Sequence, residues 1–284
     1  MSNKRNDMFS LINPNARLFK ELKTQMPDWW ILLINDDELY IDIRKDNSIN
    51  VYYFGGSIAR IEFKKDFKAK IHQKYLGDFT PRGKTKKGND KFDYDLIDLS
   101  LFDKKTIEDI KVRIKQTYLK HIENERPAEK WIQGKLVIEN TNYIDSEFQF
   151  NKNLKIGKLR IDLIELQSNE LSFIELKGIT DSRLRNDEKR NSNIPEIIEQ
   201  MRKYQLFIKY YENDIKKYYK NLLEVKRNLK LTTISSTDFS INLKPKLLIV
   251  DTYKKMTVKR EQRVFDIKKL LETNNIDYKI LNNK

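Results

Sequence analysis

Hydrophobic and polar positions change their period along this chain. In the N-terminal third they alternate: Leu39, Ile41 and Ile43 are separated by polar neighbours, and Ala59, Ile61 and Phe63 repeat the pattern. Alternation sends every second side chain to one face of a sheet, so these stretches predict strands with one buried face. Trp29 to Asn35, Glu38 to Arg44, Ile49 to Phe54 and Ser57 to Phe63 are bounded by the turn-like NDD, KDNS and GGS, and together they predict an antiparallel meander. Pro81 to Lys91 (PRGKTKKGNDK) has the composition of an exposed linker or basic loop. Residues 105–124 then predict a helix. This pattern divides the chain into an N-terminal β-rich domain over 1–98, with recognition or dimerisation expected of it from position alone, and a second domain over 99–284.

In the second domain the elements mix. Pro127 to Asn140 predicts a helix with proline in its first turn and Glu129 just after it. Ser146 to Phe150 predicts a strand. Leu159 to Leu166 and Leu171 to Leu176 are apolar runs on either side of a polar turn, Gln167 to Glu170, which reads as a two-stranded hairpin. Pro195 opens a long helix whose Ile197, Met201, Ile208, Tyr211, Ile215 and Tyr218 recur at helical spacing and so pack inward. Lys246 to Asp251, with LLIV at its centre, reads as a buried strand. The fold class expected is α/β (α+β), a central mixed sheet flanked by helices.

The hairpin carries the chemistry. Along its second strand Phe173, Glu175 and Lys177 share one face, with Ile174 and Leu176 on the other. Asp162 on the first strand can approach Glu175 across the ladder, where neighbouring side chains stand roughly 5 Å apart. Two converging carboxylates suit a hard divalent cation such as Mg²⁺, or Mn²⁺, which takes oxygen ligands. Glu-x-Lys alone carries little information, because the chain is 35% charged and the pattern occurs four times, at Glu21/Lys23, Glu62/Lys64, Glu175/Lys177 and Glu224/Lys226. The first and last fall in helix-like segments. Glu62/Lys64 has Asp42 upstream as a partner, but the strand Ile49 to Phe54 lies between them.

In its order of helix, three-stranded meander, helix and strand, and in the Asp162, Glu175 and Lys177 constellation, the chain resembles the PD-(D/E)XK nuclease superfamily, the restriction-endonuclease-like fold, over about residues 125 to 255. Ile161 stands where that motif usually has proline. Gln200 and Tyr204 form a Gln-x-x-x-Tyr pattern similar to that of the RecB-like branch, on one helical face. The resemblance implies metal-dependent phosphodiester hydrolysis, with Asp162, Glu175, Lys177 and Gln200 in catalysis. It also implies a metal held by Asp162, Glu175, the Leu176 carbonyl and Glu129, with Glu147 as a weaker alternative to Glu129. The function expected is a DNA endonuclease of repair, junction processing or phage defence. A sequence-specific type II restriction endonuclease and a non-catalytic nucleic-acid-binding protein on the same scaffold are the rival readings.

Composition agrees with a polyanionic partner. The net charge is +14 and the pI about 9.5, which implies attraction to a polyanion and would by itself serve RNA, DNA or acidic membranes; DNA is the partner that the resemblance implies. Two basic loops are candidates for phosphate contact: Lys84, Lys86 and Lys87 in one, with Arg82, and Arg183, Arg185, Lys189 and Arg190 in the other. Trp29 and Trp30 are read mainly as core, with base stacking the rival role. With no cysteine, zinc-thiolate sites are excluded, and with only His72 and His121, far apart in sequence, the composition argues against nucleases built on histidine bases or His-rich metal clusters. No stretch predicts a membrane span or signal region, so a cytoplasmic protein is expected. Double-strand cutting by a subunit with one site would call for a homodimer related by two-fold symmetry.

Overall fold

The computed structural model describes residues 11–86, 88, 90–123, 128–150, 157–185, 194–236 and 238–282, without the side chains of 119–123. Two helices, α1 (Arg17–Gln25) and α2 (Asp28–Ile34), precede an antiparallel meander of β1 (Leu39–Ile43), β2 (Ile49–Tyr53), β3 (Gly56–Phe63) and β4 (Phe67–His72). A small β5 (Gly83–Lys84) and β6 (Asp90–Lys91) pair follows, and β7 (Tyr94–Asp98) completes a five-stranded sheet in the order β1-β2-β3-β4-β7. Helices α3 (Lys104–Glu123) and α4 (Glu129–Glu139) lead to β8 (Tyr143–Phe150), β9 (Leu159–Gln167) and β10 (Glu170–Gly178), then α5 (Glu196–Tyr210) and α6 (Glu212–Asn228). The chain ends with β11 (Ser240–Ile241), β12 (Lys246–Asp251), α7 (Val258–Thr273) and β13 (Asp277–Asn282). The second sheet runs β13-β12-β10-β9-β8, with β8, β9 and β10 antiparallel and β10, β12 and β13 parallel; β11 pairs β10 off this path. The fold is therefore mixed α/β, and among the described residues it has a five-stranded antiparallel sheet, a six-stranded mixed sheet and the small antiparallel β5–β6 pair.

Trp29 to Asn35, expected as a strand, is the helix α2. An unbroken apolar run fits either element, and here Pro27 at the N-cap with Asp28 in the first turn starts a helix. Both tryptophans are buried, at 8% and 0% exposure, so neither is offered to a base. The long helix after Pro195 is in fact two, divided at Tyr211, and Glu212 and Asp214 supply the acidic first turn that suits a new helix start. The hairpin turn falls on the expected tetrapeptide, Gln167 to Glu170. Ser168 and Asn169 both take positive φ (51° and 60°), as in a two-residue turn whose twist matches its strands.

One hydrophobic core runs through both sheets: Ile43, Val51, Ile61 and Ile71 belong to the same cluster as Phe148, Ile164, Phe173 and Tyr219. A smaller cluster, with Ile132 of α4 against Leu163, Ile174, Leu176, Leu248 and Val250, covers the other face of the second sheet. Two glycines fix α4 against the turn between β2 and β3. A Cβ on Gly134 would stand 2.4 Å from Phe54 Cα, and one on Gly55, whose φ is +81°, would stand 2.2 Å from the Lys130 carbonyl oxygen. Trp131 stacks on Phe54 beside them, with ring centroids 4.5 Å apart. A buried polar junction also crosses between the sheets. Arg44 donates to the Ser146 carbonyl (2.6 Å) and to Asp42 (3.2 Å), Ser146 donates to Asp42 (2.5 Å), and Lys226 of α6 donates to the Ile144 carbonyl (2.6 Å).

Candidate active site

Strands β9 and β10 pair as far as Leu163 opposite Ile174, so Asp162 and Glu175 face each other one step further along. There the β9–β10 ladder ends, while β10 stays paired with β12 on its other side through Gly178. The Leu176 N–H, which a continuing ladder would use, instead donates to the Asp162 carboxylate at 2.9 Å. Gln133 of α4 donates to the Asp162 carbonyl at 2.5 Å and fixes that backbone from the opposite side. The carboxylate of Asp162 is therefore oriented by the same strand that carries Glu175 and Lys177.

Lys177 is 1% exposed, and oxygens of four residues surround its Nζ. It donates to Glu175 and, at 2.6 Å, to the Leu176 carbonyl; Asp162 lies 3.7 Å away and Glu129 3.9 Å away. The structure thus brings together Asp162, Glu175, Leu176, Lys177 and Glu129, from β9, β10 and the N-terminus of α4. Among the described residues no three carboxylate or histidine side chains already form a metal cage; Lys177 Nζ lies between these oxygens. The donor set, three carboxylates and a carbonyl, is all hard oxygen and fits Mg²⁺ or Mn²⁺ in kind.

Electrostatics separates the carboxylates. Burial and the nearby Asp162 raise the pKa of Glu175, while Lys177 and a hydrogen bond from Tyr204 work against the rise. Burial lifts Glu129 to about 7, helped by a hydrogen bond with Asp181. Asp181 goes the other way: burial would raise it, but hydrogen bonds from Arg183 hold it at about 2. Groups of like charge with divergent proton affinity are characteristic of reactive sites.

Gln200 was expected to present its amide to the site. It lines the cavity over the site, and its Nε2 donates to the Tyr204 hydroxyl at 2.7 Å; that hydroxyl lies 2.7 Å from Glu175, to which it donates, and also sits against the Arg160 carbonyl. Tyr204 is the residue of this pair that touches the carboxylates, and burial with Glu175 beside it keeps its hydroxyl protonated. Glu147, the alternative ligand, is ion-paired to Lys130 (3.4 Å) and Arg160 (3.9 Å).

A cavity of about 440 Å³ opens over these groups, rimmed by Lys158, Arg160 and Lys203 as well as Arg183. The first three were not among the expected contacts. A signal existed, since Arg160 stands two residues before Asp162 on the same strand and Lys203 one helical turn after Gln200. Of the predicted basic residues, Arg183 is engaged with Asp181 (2.7 Å) and Glu129 (3.4 Å), so it braces a candidate ligand. Arg185 is exposed and lines a different cavity, with Lys259 and Arg263, whereas Lys189 and Arg190 lie outside the described residues. In the other loop Lys84 pairs with Asp90 (2.5 Å), Lys86 is exposed and Lys87 lies outside the described residues. No protein-family model, curated protein or solved structure matches this chain.

Proposed function

We propose that this protein is a divalent-metal-dependent nuclease that hydrolyses phosphodiester bonds, most simply a DNA endonuclease on a restriction-endonuclease-like core. The observation that carries this reading is the convergence of Asp162, Glu175, the Leu176 carbonyl and Glu129 on Lys177 Nζ at the point where β9 and β10 part. Its support lies in the donor chemistry, in the basic rim of the cavity and in the net charge of +14.

Asp162, Glu175, Leu176 through its carbonyl, and Glu129 would hold Mg²⁺ or Mn²⁺. When bound, the cation polarises the scissile phosphate and lowers the pKa of a water. Lys177 positions the attacking water and offsets the charge that grows on the phosphate oxygens as the bond to the nucleophile forms. Tyr204, oriented by Gln200, holds one oxygen of Glu175 so that the other faces Lys177. Arg183 holds Glu129 within reach of the site. Arg160, Lys158 and Lys203 neutralise the phosphates on either side of the cut.

The test is incubation of wild type and Lys177→Ala with supercoiled plasmid, linear duplex, single-stranded DNA and RNA, each with Mg²⁺, Mn²⁺ or a chelator. Metal-dependent cutting that disappears in the variant is the expected result. Binding of nucleic acid with no cutting in any lane would point to the non-catalytic reading instead.

A further inference from the structure

We propose that the polar face of the N-terminal sheet is a nucleotide-binding cleft, in which His72, Tyr75 and Tyr94 stack on an unpaired base and Arg60, Lys70 and Lys130 hold its phosphate. This rests on the nuclease reading only for where the nucleotide comes from. Asn50, Arg60 and Lys70 are cross-strand partners on β2, β3 and β4 and form a polar row, flanked along those strands by buried Val51, Ile61 and Ala69. Helix α3 brings Tyr118, α4 brings Lys130 and β8 brings Glu147 to the other wall, enclosing a cavity of about 530 Å³. That volume lies within the range of roughly 300 to 1,000 Å³ that small ligands occupy.

The aromatic groups are placed for stacking. His72 is 5.2 Å from Tyr75 and 5.3 Å from Tyr94, at interplanar angles of 43° and 82°, so neither pair is stacked face to face. Tyr94 is 59% exposed, which a packing role does not explain. The backbone N–H of Lys74 donates to His72 Nδ1 (3.3 Å), which leaves Nε2 as an N–H donor for a base edge. Burial and the nearby Lys74 lower the pKa of His72, which keeps that tautomer neutral. Asn50, tied to the Tyr52 hydroxyl through Nδ2 (2.7 Å), has in the same wall a buried Oδ1 without a partner among the described residues. Rings beside cations are the combination by which proteins hold unpaired nucleotides.

The cations have partners: Arg60 with Asp46 and Glu62, Lys70 with Glu62, and Lys130 with Glu147. Their side chains are 38%, 43% and 50% exposed, and exposed pairs of this kind exchange readily for a phosphate. Glu147 connects this cleft with the candidate active site. Its φ of +52° is uncommon for a residue with a side chain, and it lines the cleft while its carboxylate approaches Arg160, which lines the metal cavity. A strand leaving the metal site past Arg160 would enter the cleft at Lys130, the residue after Glu129.

The experiment measures binding in chelator, where no cleavage occurs, to adenosine monophosphate, a mixed-sequence single-stranded oligonucleotide and a blunt duplex, for wild type, Tyr94→Ala and Tyr94→Phe. Loss of single-strand affinity by about tenfold in Tyr94→Ala, with recovery in Tyr94→Phe, is expected and assigns the cleft to the substrate strand. The same loss for adenosine monophosphate alone supports a cleft for a free nucleotide. Unchanged affinity for both ligands in a folded Tyr94→Ala protein overturns the proposal. Cleavage by wild type in Mg²⁺ is scored separately, so a protein that binds without cutting would count against the nuclease reading and leave the cleft standing.

Discussion

At the residue scale, the site is held together by hydrogen bonds to the carboxylates. Tyr204→Phe removes the hydroxyl that donates to Glu175 and leaves that buried oxygen without its partner. The Mg²⁺ concentration needed for half-maximal cleavage is expected to rise by about tenfold, with a smaller change in kcat at saturating metal, as titration of the rate with Mg²⁺ would read. An unchanged metal dependence would assign Tyr204 to packing alone. Asp145, fully buried in the polar junction, makes a second prediction. Burial and the proximity of Asp42 raise it to about 7, above the unfolded value near 4. The folded state therefore keeps a proton that the unfolded state releases, and this contribution to stability is present at low pH and lost as pH rises through that window. Urea unfolding should show wild type losing at least about 1 kcal/mol relative to Asp145→Asn between pH 4 and pH 8; a constant difference would contradict it. The facing of Asp162 and Glu175 was legible in the sequence, because strand period and hairpin register fix it. The tie from Gln200 to Tyr204 was only half legible: helical spacing put the two on one face but did not say which of them reaches the carboxylates.

At the scale of elements, the hairpin β9–β10, the strand β12 and the helix α3 follow from apolar runs and their polar boundaries, and the structure places them within a residue or two of the expected limits. Helix α2 was illegible from periodicity, since Trp29 to Ile34 is apolar at every position and the decision rests on Pro27 and Asp28. The extension of β8 back to Tyr143 was hidden for another reason. Its Asp145 and Ser146 are polar residues buried by long-range partners on β1 and α6, which no local pattern reveals. The close contact of α4 with the turn between β2 and β3 depends on Gly55 and Gly134 having no side chain. Gly134→Ala would drive its Cβ into the Phe54 backbone and shift the helix that carries Glu129. A loss of about 2 kcal/mol or more is expected in chemical denaturation, together with weaker metal dependence of any residual activity. A variant with wild-type stability would mean that this contact is looser than described.

For the whole molecule, the shared core and the polar junction place the N-terminal sheet and the mixed sheet as neighbours, with the basic rim of one cavity adjoining the other through Glu147 and Arg160. Composition indicated a polyanionic partner through its net charge of +14, but not where that partner would lie, because lysines are spread along the chain. Binding to DNA should weaken by at least about tenfold as salt rises from about 50 to about 200 mM, as counterion release requires; salt-insensitive binding would argue against a phosphate-tracking surface. The most direct test of the central claim is the conversion of supercoiled plasmid to nicked and linear forms by wild type and Asp162→Ala, each in Mg²⁺ and in chelator. Cutting by wild type only with metal is expected, with a rate at least about 100-fold lower in Asp162→Ala and DNA binding retained. Equal cutting by both proteins, or cutting that persists in chelator, would contradict it.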